Sequence, residues 1–407
     1  MKVLIFSPEK PYTGAESLVT GKLMRAMLNK GWEVDMVFHD TELIYKSDGD
    51  TLNILNNCFG IRNTFFEKNT KFIKKVPILK KIYLFDSFFW ILRSFILAIK
   101  LNRVKNYDLV FSRVMPQYGH LPALLFSSVC KVKWIANWSD PLPIQKSPEP
   151  YGLGPDAKVS SLQMFYLRLI VKKATFNSFP SDRLLNYYYQ YLPKLRGKSF
   201  VLPHVVFNDI NQSVQNRDVN VNLNSFIITH VGGLGLRNPT NFIYALNELY
   251  ITQKINIDIK IRLIGYVEPS ISSLIQDLKL GHFFSLEGLK PYEYALNAIE
   301  ESDMMLVVEA PLKEGIFFPS KVTDYVQFNK PILAVSPTVG IMNDMLETYG
   351  GGICADCTSV DSIKFSLLQI MNEYKKIKNF EGLYNTSNLR SKLSEDEIIE
   401  KIQNICV

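Results

Sequence analysis

The sequence predicts an α/β protein built from two Rossmann-like halves facing a central cleft. Three observations carry this prediction. Short apolar runs alternate with segments of helical spacing along most of the chain. The runs are near-continuous in Val, Ile, Leu and Phe, as in parallel strands buried on both faces. A polar stretch at 208–225 interrupts the alternation, which then restarts. With 407 residues, 47% hydrophobic and 21% charged, the chain has globular composition and length for about two or three domains.

The elements follow in order. KVLIFS (2–7) reads as a buried strand ending at Pro8, followed by the loop PEKPYTGAES. SLVTGKLMRAMLNKG puts Leu18, Leu23, Met24, Met27 and Leu28 near helical spacing and stops at Gly31. WEVDMVF completes a βαβ unit. The pattern returns at YDLVFSR (107–113), VKWIANW (132–138), the helical SLQMFYLRLIVKKA, TFNSFPS (175–181) and VLPHVVF (201–207). NDINQSVQNRDVNVNLNS (208–225) is a linker or long surface loop. Beyond it, strands SFIITHVGG, DIKIRLIG, HFFSLEG, DMMLVVE and PILAVS alternate with helices TNFIYALNELY, SISSLIQDLKL, YEYALNAIEES and SKVTDYVQF. SEDEIIEKIQNI (394–405) carries Ser394 and Glu397 at capping-box spacing. Ligands of open α/β sheets sit at the carboxyl ends of the strands, and two facing halves would accommodate two substrates.

Charge and cysteines narrow the function classes. The net charge is +7, yet 62–108 alone holds eleven Lys and Arg against Glu67, Asp86 and Asp108. The remainder is near neutral, which argues against a broad basic face for nucleic acid. The five cysteines are scattered and odd in number, so no disulfide framework is expected and a reducing cytosol fits. The start MKVLIFSPEKPYTG lacks the long apolar core of a signal peptide. A cytoplasmic location is the expectation.

Two loops point to a ligand. In HVGGLGLRNP (230–239), Gly232, Gly233 and Gly235 let backbone approach a ligand closely, and Arg237 adds a fixed charge before a helix opening near Pro239. The alternative is a plain strand-to-helix turn. In EGIFFPSKVTDYVQFNKPILAVSP (314–337), Pro319 can begin a helix, with Lys321 in its first turn where the dipole disfavours it. A phosphate there would reverse that penalty. Asp324 follows three residues on and can accept hydrogen bonds from vicinal hydroxyls such as those of a ribose. A base for phosphate and an acid for ribose describe a nucleotide; the alternative is a solvated ion pair.

These stretches resemble the GT-B glycosyltransferases, most closely the retaining enzymes of glycosyltransferase family 4 that build bacterial surface glycans. The resemblance runs over nearly the full length. SPEKPYTGAES is similar to the family's Gly-containing first loop, with Gly14 and Ala15 where two glycines are frequent. RAMLNKGWEVDMV looks like its helix, Gly and second strand, and VLPHVV resembles its domain crossover, with His204 where Asn is common. VGGLGLRNP looks like its phosphate loop, with Arg237 as the basic residue. EGIFFPSKVTDYVQFNKPILAVSP is similar to its acid-rich donor motif and is the most specific match. The family's usual two Glu sit closer together than Glu314 and Asp324, which are ten apart with Pro319, Ser320 and Lys321 between. A subgroup with P-x-K-x-x-acid-Tyr is similar and favours Asp324 as ribose ligand over Glu314 as sugar ligand.

The resemblance implies a hexosyltransferase-type enzyme moving a sugar from a UDP- or GDP-sugar to a glycan or a polyprenyl- or other lipid-linked acceptor. It implies retention of configuration, no metal and no cofactor. Residues 1–205, including the basic and apolar segment 68–105, would bind acceptor; 206–385 would bind donor; 386–407 would form a helix packing back on the first domain. Gly14 and Ala15 would approach the transferred sugar, while Gly232, Gly233, Glu314, Gly315, Ile316, Phe317, Phe318 and Asp324 would surround the donor. Arg237 and Lys321 would stabilise charge on the leaving phosphate. That phosphate would accept the acceptor's proton on the same face, so no protein nucleophile is required. In the first domain RVMPQYGH offers His120 and ANWSDP offers Asp140; each could equally cap a helix or turn. A nucleotide-sugar epimerase and a non-catalytic nucleotide-sugar or glycan-binding partner are the rival readings.

Asp48-Gly-Asp50 is read as a solvated turn rather than a metal motif, and Cys354 with Cys357 as structural thiols rather than a zinc site. KFIKKVPILKKIYLFDSFFWILRSFILAIKL (71–101) is the other unusual feature: five Lys precede an apolar segment of membrane-span length. Asp86 and Arg93 count against spanning. An interfacial helix presenting Phe88, Phe89, Trp90, Phe95 and Ile96 to an anionic membrane surface, at the inner face of the plasma membrane, is weighed against a core helix.

Overall fold

The computed structural model describes residues 1–10, 14–39, 58–61, 87–114, 117–207, 225–377, 380 and 383–406. Most of the 208–225 linker, the pair Asp48 and Asp50, and the lysines at 71–81 lie outside these residues.

The predicted alternation forms two parallel sheets. The first holds β1 (Lys2–Ser7), β2 (Glu33–His39), β3 (Cys58–Ile61), β4 (Leu109–Arg113), β5 (Lys133–Asn137), β6 (Phe176–Phe179) and β7 (Ser199–Val201), in the order β3-β2-β1-β4-β5-β6-β7. The second holds β8 (Phe226–Val231), β9 (Ile259–Ile264), β10 (Phe284–Gly288), β11 (Met304–Val308), β12 (Ile332–Ser336) and β13 (Gly352–Asp356), in the order β10-β9-β8-β11-β12-β13. Each is a doubly wound sheet. Strand order reverses between β1 and β4 in one and between β8 and β11 in the other. Those reversals leave a crevice at the carboxyl ends of the strands.

The central strands are buried along their length, which is why they read as continuous apolar runs. Val3 to Phe6, Leu109 to Phe111 and Met304 to Val308 are fully buried. At about 25 cal/mol per Å² of apolar surface removed from water, these runs dominate each core. One buried carboxylate is compensated. Asp35 on β2 accepts from Lys105 Nζ at 2.7 Å to both oxygens and from the Tyr107 hydroxyl at 2.5 Å. This ties the end of helix Phe88–Lys105 to the first sheet.

That helix corrects the interfacial expectation at one residue. Trp90, assigned there to the membrane face, is fully buried, with Ile91, Ser94 and Ala98 on the same side. Phe88, Leu92 and Ile96 lie outward at four-residue steps, 47%, 40% and 45% exposed. Among the described residues no helix is long and apolar enough to cross a membrane.

Contacts divide the chain into two units. The first comprises Met1–Ser147, Gly152–Val205 and Ile398–Val407; the second comprises Pro148–Tyr151 and Val206–Glu397. The expected terminal segment 386–407 is therefore shared. Helix Ser387–Lys392 places Leu389, with Leu393 just beyond it, in the second unit's core. Helix Glu395–Cys406 buries Ile398, Ile399 and Ile402. The Glu397 N–H donates to Ser394 Oγ at 3.4 Å, one half of the expected capping box.

Candidate functional site

The second unit's switch point is flanked by the loops after β8 and β11, and these carry the sequence-predicted ligand groups. Pro319, Ser320 and Lys321 form a tight turn closed by the Val322 N–H on the Pro319 carbonyl at 3.1 Å and the Asp324 N–H on that of Lys321 at 3.0 Å. Regular helix runs only Val322–Gln327, starting later than Pro319 suggested. The turn sends Lys321 back toward β8. Its Nζ lies 3.1 Å from His230 Nε2. Gly232 makes room for it: a Cβ there would stand 3.2 Å from Lys321 Nζ, and the residue's φ of +107° disfavours any side chain. Arg237 adds a second cation. Its Nε stands 3.4 Å from Glu309 Oε1, with Glu309 almost entirely buried just past β11.

Electrostatics follow from this crowding. Burial pushes the Lys321 ammonium down to about 7, aided by the Arg237 charge and opposed by the Glu309 carboxylate. Burial likewise raises Glu309, against the pull of Arg237 and Lys321. Burial and the Lys321 charge hold His230 well below the usual imidazole range, so its ring is neutral. Two cations, one acid and a neutral imidazole thus converge at the ends of adjacent strands, an arrangement suited to an anion with more than one charge.

Asp324 reaches a different partner from Lys321. It is buried and accepts from the Tyr292 hydroxyl at 2.6 Å through Oδ1. Tyr325 faces the sheet, its hydroxyl accepting from the Val231 N–H at 3.1 Å. Glu314 is half-buried at the head of the loop. The next residue is stitched to a neighbouring loop: the Gly315 N–H donates to the Val339 carbonyl at 2.9 Å, and the Ile341 N–H donates to the Gly315 carbonyl at 2.8 Å. A Cβ on Gly340 would come within 2.9 Å of Gly315 Cα, and one on Gly315 would stand 3.3 Å from Gly340 Cα, so the close approach demands Gly at 340 and leaves little room at 315. Ile316 and Phe318 turn inward, 1% and 6% exposed, and Phe318 packs with Val322 and Tyr325. Phe317 is half-buried and Gly233 exposed.

The first unit's switch point holds another polar cluster. Arg113 ends β4, and its guanidinium donates through Nη2 to Glu16 Oε2 at 2.8 Å and to Ser139 Oγ at 3.1 Å. Ser139 donates to the same Glu16 oxygen at 2.7 Å. Burial alone would raise Glu16, but the Arg113 charge and these hydrogen bonds outweigh it and hold the carboxyl low. Glu9 is raised by burial and then by the Glu16 charge. Gly14 is exposed and precedes helix Ala15–Asn29, its N–H donating to Ser17 Oγ at 2.7 Å. The side chain of Ala15 lies outside the described residues. Asp140 is half-buried, and its carbonyl accepts from the Tyr188 hydroxyl at 2.7 Å.

His120 is a correction. It has no exposure, sits 2.7 Å from Ser112 Oγ through Nδ1 and packs edge-on against Trp138 at 4.6 Å. Burial drives its pKa down to about 3. It is a neutral core imidazole rather than a group at a loop tip. Sequence reasoning missed His230, Glu309 and Tyr292 in the second unit, and Glu16, Arg113 and Ser139 in the first. Two had a visible signal: Glu309 ends an otherwise apolar strand, and Glu16 lies in the loop-to-helix stretch GAES. Among the described residues no group of three or more His, Cys, Asp or Glu is placed to hold a metal ion.

The architecture has known counterparts. A glycosyltransferase from Rickettsia africae matches with a TM-score of 0.64 at 13% identity, covering 100% of this chain and 97% of the other. The fold is GT-B. Staphylococcus aureus TarM, solved with fondaparinux, α-GlcNAc-glycerol and UDP, matches at 0.63 with 11% identity over 100% of this chain and 99% of its own. A candidate UDP-N-acetylglucosamine 2-epimerase from Listeria monocytogenes matches at 0.58 with 13% identity over 99% of this chain and 96% of its own. No family model and no curated relative matches the sequence. At these identities the comparisons speak to fold, and the GT-B architecture serves both transferases and epimerases.

Proposed function

We propose that the protein is a glycosyltransferase that takes a sugar from a nucleoside diphosphate sugar held by its second unit. The observation that carries this reading is the convergence of Lys321 and Arg237 on the Gly232 loop at the second sheet's switch point. A departing nucleoside diphosphate gathers negative charge on its β-phosphate; the Arg237 guanidinium and the Lys321 ammonium, which that charge favours, stabilise it beside a side-chain-free backbone as the bond breaks. Asp324, steadied by Tyr292, is the ribose ligand. Backbone around Gly315 to Phe318 meets the sugar, and Glu314 stands at that loop's head. The UDP in the TarM structure and in a Staphylococcus aureus MnaA structure supports a uridine donor, with GDP-sugars the second choice. Transfer is retaining and metal-independent on this reading, with the leaving phosphate taking the acceptor's proton. The acceptor is a glycan or lipid-linked glycan of a bacterial surface polysaccharide. Gly14 and Asp140, at the carboxyl end of the first sheet, contact it. The outward Phe88, Leu92 and Ile96 support attachment to an anionic membrane at the cytoplasmic face.

Thermal unfolding with UDP, GDP, ADP and CMP, each with EDTA and with Mg²⁺, tests the donor site. A ligand at about 100 times its dissociation constant adds about 2.7 kcal/mol. The expected result is a metal-independent shift with one diphosphate, lost in Asp324→Ala. No shift with any of the four would remove the reading. The Listeria neighbour favours an epimerase as second reading. Conversion of a UDP-sugar into its epimer with no acceptor present would establish that instead.

A further inference from the structure

His230 is the penultimate residue of β8 and has no solvent exposure. Its two ring nitrogens have different partners. Nδ1 lies 3.0 Å from the Leu306 carbonyl, which can only accept, so Nδ1 carries the proton and Nε2 a lone pair. Leu306 belongs to β11, which pairs with β8 across the switch point, so the sheet itself fixes the tautomer. The Nε2 lone pair then faces Lys321 Nζ at 3.1 Å, and the ammonium donates to it.

We propose that His230 is a positioning residue: its lone pair holds the Lys321 ammonium against the Gly232 loop, aimed at the diphosphate of the nucleotide. This rests on the nucleotide reading above. One ammonium proton is committed to the imidazole, leaving two for a ligand. The groups facing Lys321 come from every side of the loop: His230 from β8, Arg237 from the loop after it, and Glu309 from the end of β11. Gly232 closes the remaining approach without a side chain.

A pH signature follows. Burial, and then the Arg237 charge, bring the Lys321 pKa down to about 7. A diphosphate supplies opposing charge and favours the ammonium, so binding takes up a proton at and above that pH, and affinity falls as pH rises. The imidazole lone pair also favours the ammonium. Removing it moves the fall to lower pH.

The test is calorimetric titration of the full chain with UDP or GDP, whichever stabilises it, at about pH 6 to 9 in two buffers of different ionisation enthalpy. Wild type is expected to take up a proton near and above neutrality, and Lys321→Met to lose that uptake. His230→Phe should bind about tenfold or more weakly at neutral pH, the scale of a hydrogen bond to a charged group, with its pH profile displaced to acid. His230→Asn, whose side-chain oxygen can accept from Lys321, should recover most of the affinity. Unchanged affinity and pH profile in His230→Phe would overturn the inference while leaving the nucleotide site intact. If His230→Phe does not fold, wild-type proton uptake decides, and its absence overturns the inference. Wild type that binds no nucleoside diphosphate overturns the nucleotide reading and this inference with it.

Discussion

At the scale of single residues, the two switch points differ in how their charges are sheltered, and mutations should show it. Arg113 has a side chain 4% exposed, whereas that of Glu16 is 31% exposed. Glu16→Ala strands a buried cation and should cost about 3–5 kcal/mol. Arg113→Met leaves a partly exposed carboxylate that still accepts from Ser139, and should cost less than Glu16→Ala. Urea denaturation of both variants checks the order; equal losses would mean that Ser139 and Glu9 share the charge differently. Gly232→Ala forces a side chain into a φ of +107° with its Cβ 3.2 Å from Lys321 Nζ. It should cost about 1–3 kcal/mol of stability and weaken UDP binding beyond that loss, measured by denaturation and titration in parallel. The candidate groups Lys321, Arg237 and Asp324 stood out in the sequence because each broke a local rule or sat in a loop of unusual composition. His230 did not, because what makes it matter is a neighbour on another strand, and strand pairing is invisible in a linear reading. His120 misled for the converse reason: a polar residue in a short turn says nothing about whether tryptophans close over it.

At the scale of elements, periodicity performed well where the strand was central and poorly where an element had two apolar sides. β1, β4 and β11 are buried on both faces, so a continuous apolar run identifies them whatever their neighbours. The helix Phe88–Lys105 carries large apolar side chains both inward, at Trp90 and Ile91, and outward, at Phe88, Leu92 and Ile96, and only packing decides which side turns inward. Trp90→Ala should therefore cost about 3–5 kcal/mol, as for a large core aromatic. Phe88→Ser on the outer ridge should change stability by less than about 0.5 kcal/mol. Flotation with liposomes containing anionic lipid separates the roles: membrane attachment through the ridge predicts that Phe88→Ser releases the protein while its melting temperature stays put.

At the scale of the whole molecule, the chain divides its contacts in a way that a reading from either end would miss. The first unit is incomplete until Ile398–Val407 has been made, and Lys133 Nζ donates to the Cys406 carbonyl. Truncation after Ser394 removes the buried Ile398, Ile399 and Ile402 and should lower the melting temperature of the first unit's transition. An unchanged unfolding profile would show that this helix adds nothing to that core.

The Gly315–Gly340 contact has a consequence for how such a protein can change over evolutionary time. Main-chain bonds from Val339 and Ile341 fix the backbone at the head of the 314–318 loop. The backbone at Gly315 is thereby held independently of the half-buried Phe317, whose ring packs edge-on against Tyr151 at 5.0 Å. Variation at that one position can be sampled without redrawing the Gly315 backbone, so a library randomised at Phe317 alone is a compact test of the proposed sugar contact.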